Sequence, residues 1–188
     1  MLAIFKREFK SYFQNVIGWL FVAALLAVYG LYFYVYNLKN GYPYISYDLK
    51  GIGFIMMIAV PILTMRSLSD EKKTKTDQLM LTSPVSVGRI VAGKYFAMAA
   101  VYTIDIALFA LSPLVLSIYG KVALSEAYVA LFGYWLYGLS CIAVGLFISS
   151  ISESVIISAI LTFAALFLSY MMQSITGLIS SSGNLLTK

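Results

Sequence analysis

Asp105 is the one charged residue inside the apolar run from Tyr95 to Tyr119. In hydrocarbon an ionised carboxylate costs about 2.5–3.5 kcal/mol on insertion scales, so it must face protein, water or a partner. Two roles are open for it: a structural residue held by a hydroxyl such as Tyr102 or Thr103 or by another helix, and a residue of a transport path. Gly88 to Tyr95 reads G-R-I-V-A-G-K-Y, with the glycines and lysine of a phosphate-binding loop, but Tyr95 stands where Ser or Thr must reach magnesium. Such a loop also follows a strand of an α/β domain, whereas Lys94 stands at the mouth of an apolar helix, whose end it is expected to anchor. The chain has no histidine and a single cysteine, Cys141, which excludes a His- or Cys-based metal site, a catalytic triad and an intrachain disulfide. No catalytic residue and no metal site is assigned.

The elements that position these residues are membrane helices. The sequence is 61% hydrophobic and 11% charged, against roughly 45–50% apolar and about 25% charged in a soluble domain. Uncharged runs reach or approach the roughly 20 residues that cross a hydrocarbon core about 30 Å thick. The expectation is a single all-α transmembrane domain over residues 1–188, a polytopic bundle of about five spans at 16–36, 51–65, 95–119, 127–149 and 154–178. The run 51–65 is short, and its flanking Lys50 and Arg66 must snorkel or be shielded. Leu2, Phe5, Phe9, Phe13 and Val16 recur at helical spacing between Lys6, Arg7, Lys10 and Gln14, the pattern of an interfacial helix over residues 1–15. The apolar run that follows is too long for a signal-peptide core and is read as retained.

A cytoplasmic N-terminus puts nine of the basic residues (Lys6, Arg7, Lys10, Arg66, Lys72, Lys73, Lys75, Arg89 and Lys94) inside, against four outside. That asymmetry is the positive-inside pattern. It also accounts for the net charge of +5 without a nucleic-acid partner. Ser154, Ser158 and Thr162 give the last span a small polar face, suited to close helix packing or to lining a substrate channel. Tyr29, Tyr32, Tyr34, Tyr36, Tyr42, Tyr44 and Tyr47 gather near the outer boundary, where two readings are open: an interfacial aromatic belt and a vestibule that grips an amphiphilic substrate.

The long polar connection is residues 66–94. Within it Asp70, Glu71, Lys72 and Lys73 lead through Thr74, Lys75, Thr76, Asp77 and Gln78 into the apolar patch Leu79, Met80 and Leu81, closed by Thr82, Ser83 and Pro84. An apolar patch in a charged loop reads as a docking surface or a contact with neighbouring helices. This segment, with Val85, Gly93 and Lys94, resembles the membrane-spanning permeases of type-2 ABC exporters, in particular the gliding-motility group. A second likeness lies at Gly145, Leu146, Phe147, Ile148, Ser149 and Ser150, near the end of the fourth span. Lys75, Asp77 and Gln78 depart from the family pattern, and the resemblance leads us to expect a sixth span that the residues after Leu178 do not supply.

The resemblance implies a coupling helix over about Asp70 to Ser83 that seats in a separate ATP-binding subunit, where ATP and magnesium would act. Asp70, Glu71, Lys72, Lys73, Thr76, Leu79, Met80, Leu81, Thr82, Ser83 and Pro84 are then its docking residues. This chain would itself bind no cofactor. It would assemble with a second copy or a sister permease in the bacterial cytoplasmic membrane, embedded in lipid, and export a substrate. The rival readings are an ion-coupled secondary transporter using Asp105 and a non-transporting membrane scaffold.

Overall fold

A computed structural model describes residues 2–42, 44–73, 86–119 and 122–183, with Lys73, Tyr119 and residues 173–183 described by backbone alone. Among the described residues the chain is helical without strands. Its order is α1 (Leu2–Gln14), α2 (Val16–Tyr32) running into a π-helix (Phe33–Lys39), α3 (Ile45–Thr64), α4 (Ser69–Lys73), α5 (Val87–Phe109), α6 (Ser112–Tyr119), α7 (Leu124–Ile151) and α8 (Val155–Gly183). Five stretches are long and apolar enough to cross a membrane: Val16–Lys39, Ile45–Lys72, Val87–Ile118, Leu124–Ile151 and Val155–Met172. The polytopic bundle expected from the composition is therefore present.

Extended backbone at Asn15 breaks α1 from α2, and Trp19 Nε1 donates to the Phe13 carbonyl at 2.9 Å across the corner. Along α1 the rings of Phe5, Phe9 and Phe13 succeed one another and end on Trp19, while Lys6, Arg7, Lys10 and Gln14 are exposed. Aromatic rings on one face and cations on the other suit a helix lying at a membrane surface. Its inner side packs on α5 and α2.

At the centre stands α3, packed against α2, α7 and α8. Half of its apolar stretch is buried, compared with 17% for α8. Ile52, Met56, Met57, Val60 and Leu63 meet Phe21 and Leu25 of α2 and Ile142 of α7 in the core. The uncharged run from residue 51 understates this helix, which begins at Ile45 and carries Asp48 and Lys50 in its first turns. Asp48 is fully buried there and accepts a hydrogen bond from Asn37 Nδ2 of the π-helix. An amide donor facing it answers part of the cost of burying a carboxyl group.

The third span is one helix in the sequence pattern but two in the structure. After α5 the chain turns at Ala110–Leu111 and restarts as α6, because Pro113 has no N–H to donate and is tolerated only in a first helical turn. Ser112 at the break donates to the Phe109 carbonyl at 2.7 Å and bonds the Tyr29 hydroxyl. The ring of Tyr29 stacks on Phe109 with centroids 4.0 Å apart.

Between α5 and α7 the approach is close enough to require glycine. A Cβ at Gly138 would overlap the ring of Tyr102, whose hydroxyl donates to the Tyr134 carbonyl at 2.8 Å. Gly138→Ala is expected to cost about 1–3 kcal/mol of stability by overpacking, read as a lower thermal midpoint in detergent. In a Tyr102→Leu background the same substitution should cost much less. Equal costs in the two backgrounds would remove ring overlap as the cause.

Candidate functional site

Charge collects at the end of the bundle where α1, the α3–α4 corner and the start of α5 meet. Lys94 lies within the second turn of α5 and is 2% exposed. Its Nζ donates to Glu71 Oε1 at 2.7 Å and to the Ser67 carbonyl at 2.8 Å, with Glu8 Oε1 3.5 Å away. Arg7 bonds Glu8 at 2.7 Å and stands 3.8 Å from Glu71. Removing an ammonium from water costs several kcal/mol unless charges and hydrogen bonds replace the lost hydration. Here one carbonyl and two carboxylates do so, and each comes from a different element.

Lys94 thus ties the start of α5 to the two neighbouring segments. The side chain does not reach toward headgroups but turns into the protein, because Glu71 and Ser67 offer it acceptors there. The cluster borders a polar cleft of about 560 Å³ lined by Arg7, Glu8, Arg66, Asp70, Glu71 and Lys94. Tyr12 also lines it and donates weakly to the Leu63 carbonyl at 3.4 Å. Burial, reinforced by the Glu8 charge, pushes the Tyr12 hydroxyl above its ordinary pKa and keeps it a neutral donor.

A second attachment holds α4 to the end of α7. Ser149 Oγ accepts from the backbone N–H groups of Leu68 and Ser69, both at 3.2 Å, and Ser69 Oγ donates to the Ser149 carbonyl at 3.1 Å. Lys72 Nζ donates to the Ser150 carbonyl. These carbonyls belong to the last turn of α7, which has no helical partners for them, and a cation there also complements the helix dipole. Gly145, one turn earlier, lets α3 come close: a Cβ on it would overlap Thr64. The segment Gly145 to Ser150 therefore joins the fourth span to α3 and to the polar connection. Sequence reading singled out that segment without finding its purpose, and the signal was a glycine followed by two serines at a helix end.

Of the proposed docking residues, Asp70, Glu71, Lys72 and Lys73 lie on α4. Thr76, Leu79, Met80, Leu81, Thr82, Ser83 and Pro84 lie outside the described residues. The segment Gly88 to Tyr95 is helical throughout, inside α5.

Asp105 is fully buried, and neither carboxylate oxygen has a hydrogen-bond partner among the described residues. The expected hydroxyls are engaged elsewhere. Tyr102 donates to Tyr134 O, and Thr103 donates to the Ala99 carbonyl at 2.7 Å while accepting from Trp135 Nε1 at 3.1 Å. Ser158 and Thr162 are fully buried, in keeping with a packing face. Among the belt tyrosines, Tyr34, Tyr42, Tyr44 and Tyr47 are exposed and Tyr29 is buried.

The two carboxylates around Lys94 back each other up, so their losses should not add. Glu8→Gln and Glu71→Gln together strand a buried ammonium and are expected to cost about 3–5 kcal/mol, with each single change costing well under half of that. Unfolding midpoints of the three variants in detergent check this, and simple additivity would show that the carboxylates do not share the lysine.

Neither the curated proteins nor the solved structures contain a match to this chain. A family model does match it: the one described as ABC-2 family transporter protein covers residues 10–186, from α1 to beyond α8. The match covers nearly the whole chain, and the chain belongs to the ABC-2 family of transporter membrane proteins.

Proposed function

We propose that this chain is the membrane-spanning subunit of an ATP-driven exporter and that residues 66–94 receive the motion of a separate ATP-binding subunit. ATP and magnesium act on that partner. Two permease subunits, identical or sister, form the pathway in a bacterial cytoplasmic membrane, with the α1 end facing the cytoplasm. The balance of basic residues toward that end supports the orientation.

The observation that carries the reading is the double attachment of α4. Lys94 ties it to α1 and α5, and Ser149 ties it to α7. A force applied to Asp70–Lys73 is therefore delivered to three membrane helices and to the surface helix together. Transport by switching between two packings needs such a rigid input element. Leu79, Met80 and Leu81 supply the apolar anchor in this scheme, with Glu71, Lys72 and Lys73 at its rim and Asp70, Thr76, Thr82, Ser83 and Pro84 completing the docking segment.

Co-purification in detergent with an ATP-binding-cassette subunit encoded alongside the chain tests the proposal. Leu79→Asp is expected to abolish the association, because a charge in an apolar anchor pocket loses most of the binding energy of a central contact. Retained association would remove the anchor assignment.

An ion-coupled mechanism is favoured by one observation, the unpartnered oxygens of Asp105. Asp105 lines neither this polar cleft nor the one at the opposite end, so it would enter a path only in another packing of α5. With Asp105 carrying the coupled ion, Asp105→Leu abolishes ion-gradient-driven transport in proteoliposomes that hold this chain without an ATP-binding subunit. Normal turnover by a well-expressed variant would reduce Asp105 to a packing residue.

A further inference from the structure

We propose that the cleft between α3, α7 and α8, at the end of the bundle away from α1, binds a phospholipid with an anionic headgroup from the adjoining leaflet. The cleft measures about 690 Å³, within the range of small-ligand sites. The chain's membrane placement, rather than any coupling to ATP, is what this assignment needs.

Two glycines give the first argument. Gly53 of α3 and Gly133 of α7 both line the cleft, and a Cβ at either would meet nothing within 4 Å. Glycine inside a helix costs about 1 kcal/mol relative to alanine. At Gly138 and Gly145 a neighbouring side chain of the protein explains that cost. At Gly53 and Gly133 no described neighbour does. Their missing side chains deepen a trough between the helices, which suits an acyl chain lying against backbone.

The polar groups give the second. Tyr134 lines the cleft, is 8% exposed, and its hydroxyl has no hydrogen-bond partner among the described residues. That hydroxyl is closed off from the cleft, so Tyr134 contributes ring surface to its wall. Tyr137 and Tyr170 add half-apolar rings with polar tips, as aromatic residues do at the headgroup level. Among the described residues the only charged one lining the cleft is Lys50, on the outer turns of α3, with its Nζ 5.9 Å from the ring centre of Tyr47. A single cation at the rim of an aromatic and apolar trough selects a negative headgroup over a zwitterionic one.

The test uses the purified full-length chain in phosphatidylcholine vesicles containing photoactivatable phosphatidylglycerol or, separately, photoactivatable phosphatidylcholine. Labelling of the α3 and α7 segments that border the cleft should be stronger with phosphatidylglycerol. Gly133→Leu and Gly53→Leu, which enter open space and should preserve the thermal midpoint, are expected to lower that labelling about tenfold, equivalent to about 1.4 kcal/mol of binding. Lys50→Gln, at an exposed position, should bring phosphatidylglycerol labelling down to the phosphatidylcholine level and leave the latter unchanged. Equal labelling by the two lipids in the unmodified protein would overturn the proposal. So would labelling indifferent to Gly133→Leu, or a photoreactive residue at Tyr137 that captures a second copy of the chain instead of lipid. Capture of the ATP-binding subunit, measured on the same variants, should not change, so failure of the lipid site and failure of the permease reading give separate results.

Discussion

The buried ammonium of Lys94 is the constraint on which the arrangement at the α1 end depends. A cation 2% exposed inside a helix that otherwise reads as a membrane span persists only if carboxylates are brought to it. Those carboxylates are on the surface helix and on the short helix after α3. Once they are fixed, α1 must lie across α5, and the corner after Thr64 must fold back beneath the bundle. Apolar packing in lipid has little preference for one neighbour over another, since the surrounding tails are as apolar as leucine. Charge pairing gives the ends of these helices a definite address.

Polar contacts play the same role at two other levels. Near the opposite end, Asn37 bonds Asp48 and Tyr29 bonds Ser112, so α2, its π-helical extension, α3 and the start of α6 are pinned together. In the middle, Tyr102 reaches the Tyr134 carbonyl over Gly138. Between these levels the helices meet through leucine, isoleucine, methionine and phenylalanine. The bundle is thus registered by a few directional contacts along an otherwise slippery interface.

Much of this was legible in the sequence where a run was long and uninterrupted. The uncharged runs marked the five long apolar helices, and the aligned phenylalanines marked α1 as a helix of its own, because both are one-dimensional patterns. What escaped notice depends on contacts between distant residues. The start of α3 was obscured by Asp48 and Lys50, since charge in the sequence reads as an end until Asn37 is known to face the carboxyl group. The break at Ala110 was hidden because Pro113 sits in an apolar run whose hydropathy never falls. The hydroxyls proposed for Asp105 were plausible by proximity along the helix, yet both bond carbonyls instead. The apolar patch of the polar connection rests on sequence, and only its charged lead-in is placed beside its partners.

The four charges at the α1 end form a small circuit. Arg7 holds Glu8 and faces Glu71 at 3.8 Å, while Lys94 holds Glu71 and faces Glu8 at 3.5 Å. Each carboxylate thus faces both cations and each cation both carboxylates, so the joint between α1, α4 and α5 is closed by a ring of pairs and hangs on no single one of them.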